Sequence, residues 1–388
     1  MEAMTLPPQD LPPGQALLAT PLGTANAPQA ARVHTYPLRF TGQASEYFRV
    51  WIVNLALTVI TLGLYTPWAR IRTRQYLYGH TWLDDQNFEY TASPFALLRG
   101  YLIVVAFFGL YTAAQQLQFT GWEWVTGALG LLFAVAYPWL VRQSMRFQAR
   151  STVHRGLRFR FTGSLGDAYV SYGVANIAAV FSGSLALPWA WFMQRRYQAD
   201  GLAYGTARGH FRGSLGPFYL IGLAGAGLTV LGIGLLAGLA IGAATIAGVL
   251  GDLNLEQLDT DLLTSAVVVA FVLGYLALAV LYGIAWQYVR AATMHYVLNN
   301  FELGGVVRTQ ATFSPWRLVW INLANTLARI FSLGLLTPWT VIRTNRYLLG
   351  HVQVRAIVSL DDFSAAQTED ESAVGEAATE LLDINIGF

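Results

Sequence analysis

Long runs without a charged residue are the feature that most restricts how this chain can fold. About 20 residues of helix cross the hydrocarbon core of a bilayer, and six uncharged runs approach or exceed that length. They are Val50–Ala69, Gly100–Trp122, Trp124–Val141, Ala168–Gln194, Gly213–Gly251 and Leu262–Val289. A seventh apolar segment, Trp316–Trp339, is interrupted by Arg329. Since charged residues make up only 12% of the chain, well below the share in soluble domains, we expect a helical integral membrane protein.

Residue counts exclude several kinds of chemistry. The chain has no cysteine, so disulfide frameworks, thiolate metal sites and cysteine nucleophiles are absent. Lysine is also absent, which removes the Walker A phosphate loop and the Schiff base. The six histidines are dispersed, and no nucleophile–base pair or metal-binding motif is visible. We therefore expect no enzyme activity, no cofactor and no metal.

Arginine is distributed unevenly among the loops that join the apolar segments. The loop between the second and third runs has Glu123 as its charged residue, and the loop between the fifth and sixth runs has acidic residues alone. Arginines flank the first, fourth and seventh segments on both sides. Because cytoplasmic loops collect arginine, seven ordinary spans would leave an arginine cluster outside in either orientation.

This charge pattern predicts two membrane-spanning hairpins, Gly100–Val141 and about Pro217–Val289. The first, fourth and seventh segments would then be re-entrant or interfacial, and they would enter and leave on the cytoplasmic side. Both chain termini would be cytoplasmic. The alternative is seven ordinary spans with an imperfect charge bias.

An internal repeat runs through the chain. Arg39–Gly42 recurs as Arg160–Gly163, 121 residues later, and Thr61–Trp68 is matched by Ser332–Trp339. Four segments contain a Pro-Trp pair, and an aromatic residue follows each proline after nine residues. Proline disrupts helical hydrogen bonding and tryptophan prefers the membrane interface, so each pair predicts a bend or an interface anchor. The pairs are Pro67-Trp68, Pro138-Trp139, Pro188-Trp189 and Pro338-Trp339.

Arginines follow each Pro-Trp pair, some at helical spacing. We predict that they surround the cytoplasmic ends of the helices, where they either anchor the helices at the interface or bind membrane lipids, anionic lipids in particular, or a phosphate-bearing ligand. We call this set the arginine collar. It consists of Arg70, Arg72, Arg74, Arg142, Arg146, Arg195, Arg196, Arg343 and Arg346.

Polar residues inside apolar segments are the candidate intramembrane sites. Buried amides bond across helices or line a polar path, and an arginine there is either functional or reaches the headgroups. The four candidates are Asn54, Asn176, Asn325 and Arg329. In addition, Gly234, Gly238 and Gly242 form a ridge of small residues that favours close helix packing and an oligomer contact.

Segments with strand character lie between the helices. Polar and apolar residues alternate in Thr81–Tyr90, Gly156–Thr162, Leu202–Phe211 and Asn300–Thr312, which predicts β-hairpins on the cytoplasmic side. The predicted fold class is a polytopic α-helical membrane protein with parallel repeats of proline-broken apolar helix, small cytoplasmic β-hairpins and transmembrane hairpins. The predicted parts are a disordered tail 1–33, repeat units 36–157 and 158–310, a partial unit 311–358, and an acidic tail 359–388.

Taken together, several motifs give the chain a family resemblance. They are Phe40–Gly42, Glu46–Asn54, Thr61–Trp68, Arg70–Arg74 leading to Tyr76, Pro138-Trp139 with Arg142 and Arg146, Gly156–Phe161, and Leu381–Gly387. The sequence resembles the YjgN family, bacterial inner-membrane proteins defined mainly by a domain of unknown function. Arg329 is a departure from that family's more uniformly apolar pattern. The resemblance implies a multi-pass protein of the bacterial inner membrane and carries over no catalytic residues.

The leading hypothesis is a non-enzymatic membrane protein that transports or senses a small or lipid-like ligand. The repeat, the broken helices and the arginine collar motivate it. The alternative is a membrane scaffold that recruits a cytoplasmic partner through its β-hairpins and acidic tail. An intramembrane enzyme is a third hypothesis, with no catalytic constellation to support it. We expect no nucleic-acid partner, and the sequence does not identify a protein partner.

Overall fold

The centre of the protein is a closed barrel of ten antiparallel strands. The computed structural model describes residues 33–251 and 260–367, and in it each strand pairs with its neighbour along the chain while the first pairs with the last. The predicted fold class, a polytopic α-helical protein with small β-hairpins, is therefore wrong. Separate hairpins would leave edge strands with unpaired backbone groups, and closure of the barrel pairs these edges.

The strands are short. Helices separate the first strand from the second, the third from the fourth, and so on along the chain, whereas short turns make the other connections. The strands are β1 (His34–Phe40), β2 (Thr81–Leu83), β3 (Gln86–Tyr90), β4 (Thr152–His154), β5 (Leu157–Phe161), β6 (Leu202–Tyr204), β7 (Ala207–Phe211), β8 (Phe301–Leu303), β9 (Val307–Ala311) and β10 (Val352–Ala356). The helices are α1 (Ala44–Ile60), α2 (Thr66–Gly79), α3 (Pro94–Leu117), α4 (Trp122–Arg150), α5 (Leu165–Ala168), α6 (Ala175–Phe181), α7 (Leu187–Asp200), α8 (Gly216–Gly251), α9 (Thr260–Asn299), α10 (Pro315–Phe331) and α11 (Thr337–Leu349). A π-helical segment, Tyr169–Val174, joins α5 to α6, and a further short helix spans residues 360–367.

Five modules of one design make up the barrel. In each module an outgoing strand leads into a helical hairpin, and a returning strand pairs beside the first. The modules cover residues 34–83, 86–154, 157–204, 207–303 and 307–356. Because neighbouring strands are antiparallel, all five helical hairpins emerge at one end of the barrel, the helical end. The short turns lie at the opposite end, the turn end.

The same backbone hydrogen bond recurs at the base of every helical hairpin. The amide that follows the outgoing strand donates to the carbonyl that precedes the returning strand, at distances from 2.7 to 3.0 Å. The five donors are Thr41, Thr91, Thr162, Arg212 and Thr312. The repeat is thus fivefold in the structure, and each of the two larger repeat units predicted from the sequence corresponds to two modules.

Two of the modules carry helices long enough to cross a membrane. Within the described residues, four helices qualify by length and composition: Pro94–Leu117, Trp122–Arg150, Gly216–Gly242 and Val268–Asn299. They belong to the second and fourth modules. The first, third and fifth modules carry shorter hairpins, whose longer arms, such as α1 and α10, have 17 residues. Hairpin length therefore alternates along the chain.

The short helix at residues 360–367 covers the turn end of the barrel. Phe363 stacks on Tyr204 with ring centroids 6.2 Å apart. The Oε1 atom of Gln367 accepts hydrogen bonds from the amides of Thr206 and Ala207 at 2.8 and 2.7 Å. The first part of the predicted acidic tail is therefore packed against the barrel. The rest of that tail and residues 1–32 of the predicted N-terminal tail lie outside the described residues.

Arg155 connects this helix to two turns of the barrel. It lies between β4 and β5 with a φ angle of +52°, and its side chain is 6% exposed. Its guanidinium group pairs with Asp84 at 2.6 Å and also with Asp361 of the short helix. Ion pairing and apolar packing together hold the helix in place.

His154, next to Arg155, makes the stability of the barrel depend on pH. Its ring stacks on Phe88 with centroids 4.4 Å apart, and its Nε2 atom has no hydrogen-bond partner among the described residues. Burial, helped by the charge of Arg155, lowers the pKa of His154 from 6.5 to about 4. The folded barrel thus holds this histidine neutral at a pH where the unfolded chain protonates it.

We expect a stabilising contribution from neutral His154 that is complete above pH 6.5 and is lost as the pH falls towards 4. The pKa difference corresponds to on the order of 3 kcal/mol in the free energy of unfolding. Thermal unfolding of the purified protein across this pH range measures the loss. The variant His154→Phe keeps an aromatic ring against Phe88 and should show a weaker pH dependence. Equal pH dependence in the two proteins would contradict this assignment.

Candidate functional site

A cavity of about 850 Å³ lies where the helical hairpins meet the barrel. We call it the barrel-mouth cavity. Inward-facing strand residues such as Leu38, Phe88 and Phe159 form one side of it. The other side comes from α2, α4, α7 and α11, with α4 contributing the most residues. Four modules therefore build one shared cavity.

The lining of this cavity is apolar with a few neutral polar groups. No Arg, Asp, Glu or His is among its described lining residues. Gln148 donates to the Ser144 hydroxyl at 3.2 Å, and Gln198 donates to the Tyr172 hydroxyl at 2.8 Å, so part of the polar capacity is already used. Largely apolar pockets with few polar groups bind apolar ligands and use the polar groups to orient them. The cavity therefore suits an apolar or weakly amphipathic molecule better than an ion.

The structure places the predicted arginine collar on α2, α4, α7 and α11, and none of its members lines the barrel-mouth cavity. Three of them bond to the next module around the barrel: Arg74 to the Tyr90 hydroxyl at 2.7 Å, Arg142 to the Gly163 carbonyl at 2.8 Å and Arg346 to the Gly42 carbonyl at 3.0 Å. Arg195 and Arg196 bond within α7, to Gln198 and Asp200. Three members of the collar thus join modules to one another, a role that the sequence did not suggest.

Each asparagine predicted inside an apolar segment connects the two arms of its own short hairpin. Asn54 donates to the Ala69 carbonyl at 3.3 Å, Asn176 accepts from Gln194 at 2.8 Å, and Asn325 donates to the Thr344 hydroxyl at 2.8 Å. Arg329 makes a similar link by donating to the Thr340 hydroxyl at 2.7 Å. The π-helical segment Tyr169–Val174 lies directly before α6, which carries Asn176.

Three of the four Pro-Trp pairs begin a helix. Pro67, Pro188 and Pro338 are each the second residue of the returning arm, whereas Pro138 lies inside α4. Proline is favoured in a first helical turn because its missing N–H has no helical acceptor there. The bend predicted from the sequence is instead a reversal of the chain. In the first module it uses left-handed backbone at Leu62 and Gly63, with φ angles of +50° and +91°.

The fourth module was not recognised as a copy of the repeat from the sequence. In every module an aromatic residue lies five positions before the returning strand: Tyr76, Phe147, Tyr197, Tyr296 and Tyr347. The fourth module has Gln287 where the others have proline, so a search for Pro-Trp pairs misses it. The spacing of five residues from an aromatic residue to a strand is the sequence signal that could have found it. In the structure the Tyr296 hydroxyl accepts a hydrogen bond from the amide of Ser214 at 2.8 Å, as Tyr76 accepts one from Gln43.

The predicted glycine ridge has no neighbour within the described part of the chain. A side chain added at Gly234, Gly238 or Gly242 would meet no atom within 4 Å. The contacts between α8 and α9 instead use Gly225 and Gly232, which lie against Val289 and Leu281. An oligomer contact through the ridge stays a prediction.

Comparison with known proteins places the chain among bacterial membrane proteins. A family model described as "Bacterial protein of unknown function (DUF898)" matches residues 35–381. The inner membrane protein YjgN of Salmonella typhimurium is 36% identical over 137 residues, which cover 35% of this chain and 34% of that protein. The inner membrane proteins YjgN of Escherichia coli O157:H7 and strain K12 are 30% identical over 156 residues, which cover 39% of this chain and 38% of theirs. These alignments span little more than a third of each relative. No solved structure matches the chain significantly.

Proposed function

The chain belongs to the DUF898 family of bacterial proteins, which confirms the resemblance to YjgN, and from that premise we propose that it is a non-enzymatic inner-membrane protein that binds a small or lipid-like ligand in order to transport or sense it. The ligand site is the barrel-mouth cavity. The cavity has a volume of about 850 Å³, and its described lining is apolar and contains no charged residue. This observation carries the proposal.

The distribution of charge supports a barrel on the cytoplasmic side. The arginine collar lies on the barrel-proximal parts of the helices, while Glu123 lies at the far end, where α3 meets α4. Arginine marks the cytoplasmic side of a membrane protein. Since β1 begins and β10 ends at the turn end of the barrel, the chain leaves the barrel on the cytoplasmic side at both of its ends.

In this arrangement the short hairpins are re-entrant. An arm of 17 residues is about 25 Å long, less than the roughly 30 Å of the hydrocarbon core. At the tips of two hairpins, Leu62 and Leu333 are 93% exposed. Exposed apolar surface of this kind marks contact with a membrane or a protein, and the position of these tips beside the spanning helices favours lipid.

Filling the barrel-mouth cavity tests the proposal. Ser144→Trp places a large side chain in the cavity from α4, and we expect it to weaken binding of a neutral amphiphile by a factor of about 10 or more, or at least 1.4 kcal/mol. The measurement is native mass spectrometry of the purified full-length protein in dodecyl maltoside, titrated with 1-oleoylglycerol.

The matched control is Leu140→Trp, which introduces the same side chain on α4 at a position that does not line the cavity. It should bind 1-oleoylglycerol as the wild type does. If the wild type itself shows no binding above the level of the Ser144→Trp variant, the cavity is not a ligand site and the proposal fails.

The scaffold hypothesis has less support. It assigned partner recruitment to the β-hairpins and the acidic tail, but the helix at residues 360–367 packs over turns of the barrel, including Thr206 and Ala207. A partner would have to displace this helix or bind the residues that follow it. Partner capture by the full chain that is lost on truncation at Ser359, with membrane insertion kept, would favour the scaffold.

A further inference from the structure

A second depression in the surface, separate from the barrel-mouth cavity, is lined by three arginines and by no acidic residue among the described residues. It lies between α10, α11 and the start of α1, and its volume is about 1300 Å³. Arg317, Arg343 and Arg346 line it, together with His351 and Trp339. No Asp or Glu is among its described lining residues. We call it the fifth-module groove.

These three guanidinium groups receive little neutralisation from the protein. Arg343 lies over the Trp339 ring at 5.1 Å, and Arg346 donates to the Gly42 carbonyl at 3.0 Å. Neither partner carries a negative charge. Among the ion pairs of the described residues, none involves Arg317, Arg343 or Arg346. Three like charges around one groove repel one another unless an anion lies between them.

The third module has a groove at the equivalent place, and there the protein itself supplies the negative charge. Its own groove contains Met193 and four charged residues, Asp167, Arg196, Asp200 and Arg208, so two carboxylates balance two arginines there. Arg196, the counterpart of Arg346, pairs there with Asp200 at 3.3 Å. At three matched positions, each 150 residues apart, the charge of the residue differs between the modules: Asp167 and Arg317, Met193 and Arg343, Asp200 and Gly350. The fifth module has therefore lost two carboxylates and gained two arginines.

The position of Arg317 adds to this imbalance. It lies in the first turn of α10, where the helix dipole favours a negative charge. The first and third modules have Glu46 and Asp167 at the matching position, in the first turns of α1 and α5. An anion bound beside Arg317 would supply the missing negative charge.

We propose that the fifth-module groove binds the phosphate group of an anionic lipid. Arginine binds phosphate oxygens through paired N–H donors, and three arginines can surround one headgroup. Trp339 lines the same groove, is 45% exposed and offers apolar surface for the lipid chains. The groove shares no lining residue with the barrel-mouth cavity, so this site and the proposed function can fail independently.

Exchange of residues between modules tests the site. The double variant Arg317→Asp with Arg343→Met gives the fifth module the residues of the third at two of the three positions, and Asp167→Arg with Met193→Arg makes the reverse change at the same two positions. Binding is measured by calorimetry on the full-length protein in dodecyl maltoside, with dioctanoyl phosphatidylglycerol as the probe. Dioctanoyl phosphatidylcholine is the zwitterionic comparison, and inorganic phosphate is the free anion.

We expect the wild type to bind phosphatidylglycerol at least about tenfold more tightly than phosphatidylcholine, with an affinity that falls as salt is added. The Arg317→Asp, Arg343→Met variant should lose at least about tenfold of that affinity, and the reverse variant should gain a second site. Ser144→Trp, which fills the cavity, should bind as the wild type does. Thermal unfolding of each variant confirms that it is folded.

Two results would overturn the proposal. Equal affinity for the two lipids would remove the anion specificity, and unchanged phosphatidylglycerol binding in the Arg317→Asp, Arg343→Met variant would place the site elsewhere. If inorganic phosphate displaces phosphatidylglycerol at equal concentration, the groove binds free phosphate and the assignment to lipid is wrong.

Discussion

Replacing Phe363 by alanine is expected to lower the free energy of unfolding by about 3 kcal/mol, the usual loss for a large aromatic side chain removed from a core. Phe363 belongs to the barrel core at the turn end, together with Leu303 and Leu360, and it stacks on Tyr204. The cavity left by its removal lies between the short helix and the barrel, so the helix should also detach more readily.

The matched control is Phe331→Ala, the same substitution at a hairpin tip where the side chain is 85% exposed. Its effect in detergent should be small. Reversible unfolding with sodium dodecyl sulfate, followed by tryptophan fluorescence, measures both variants, and limited proteolysis reports whether residues 360–367 become accessible. Equal losses for the two variants would show that the helix does not contribute to the core.

Labelling of single cysteines is expected to give an all-or-none result for the orientation of the barrel. The chain is free of cysteine, so each introduced thiol reports one position. In spheroplasts, a membrane-impermeant maleimide should label Glu123→Cys at the far end of the spanning helices. It should leave Asp85→Cys, on an exposed turn of the barrel, unlabelled until the membrane is disrupted.

The hairpin tips provide the second part of this experiment. Leu62→Cys and Leu333→Cys should react poorly from either side, because a re-entrant tip lies in lipid. Rapid labelling of Asp85→Cys in intact spheroplasts would put the barrel outside the cytoplasm. Rapid labelling of the tips from outside would show that the short hairpins cross the membrane.

The repeat and seven of the ten strands were predicted from the sequence, but β1, β4, β10 and the closure of the barrel were not. The strand segments stand out because polar and apolar residues alternate, as in Ala207–Phe211. Pairing of the two strands of one module leaves no such trace, since β2 has three residues and its partner β1 lies about 40 positions earlier. Register over such short strands depends on the helical hairpins at one end and the turns at the other.

The candidate sites were predictable to different degrees. The arginines of the fifth-module groove are visible in the sequence, but their lack of acidic partners emerges when the third and fifth modules are compared in space. The barrel-mouth cavity draws its helical residues from four separate helices, α2, α4, α7 and α11, and no local pattern marks them. The helix at residues 360–367 was not predicted, because the acidic composition of this region is typical of a solvated tail. Leu360 and Phe363 nevertheless have the spacing of one helical face.

The number of modules has a consequence for the surface that the protein presents to lipid. Short and long hairpins alternate from the first module to the fifth, and β1 pairs with β10 to close the ring. A ring with an odd number of members cannot alternate two kinds throughout, so one junction must join two of the same kind. Here two short hairpins meet, and α1 contacts α11 with no spanning helix between them. The parity of the ring thus produces one junction that has no spanning helix, and the fifth-module groove lies at this junction.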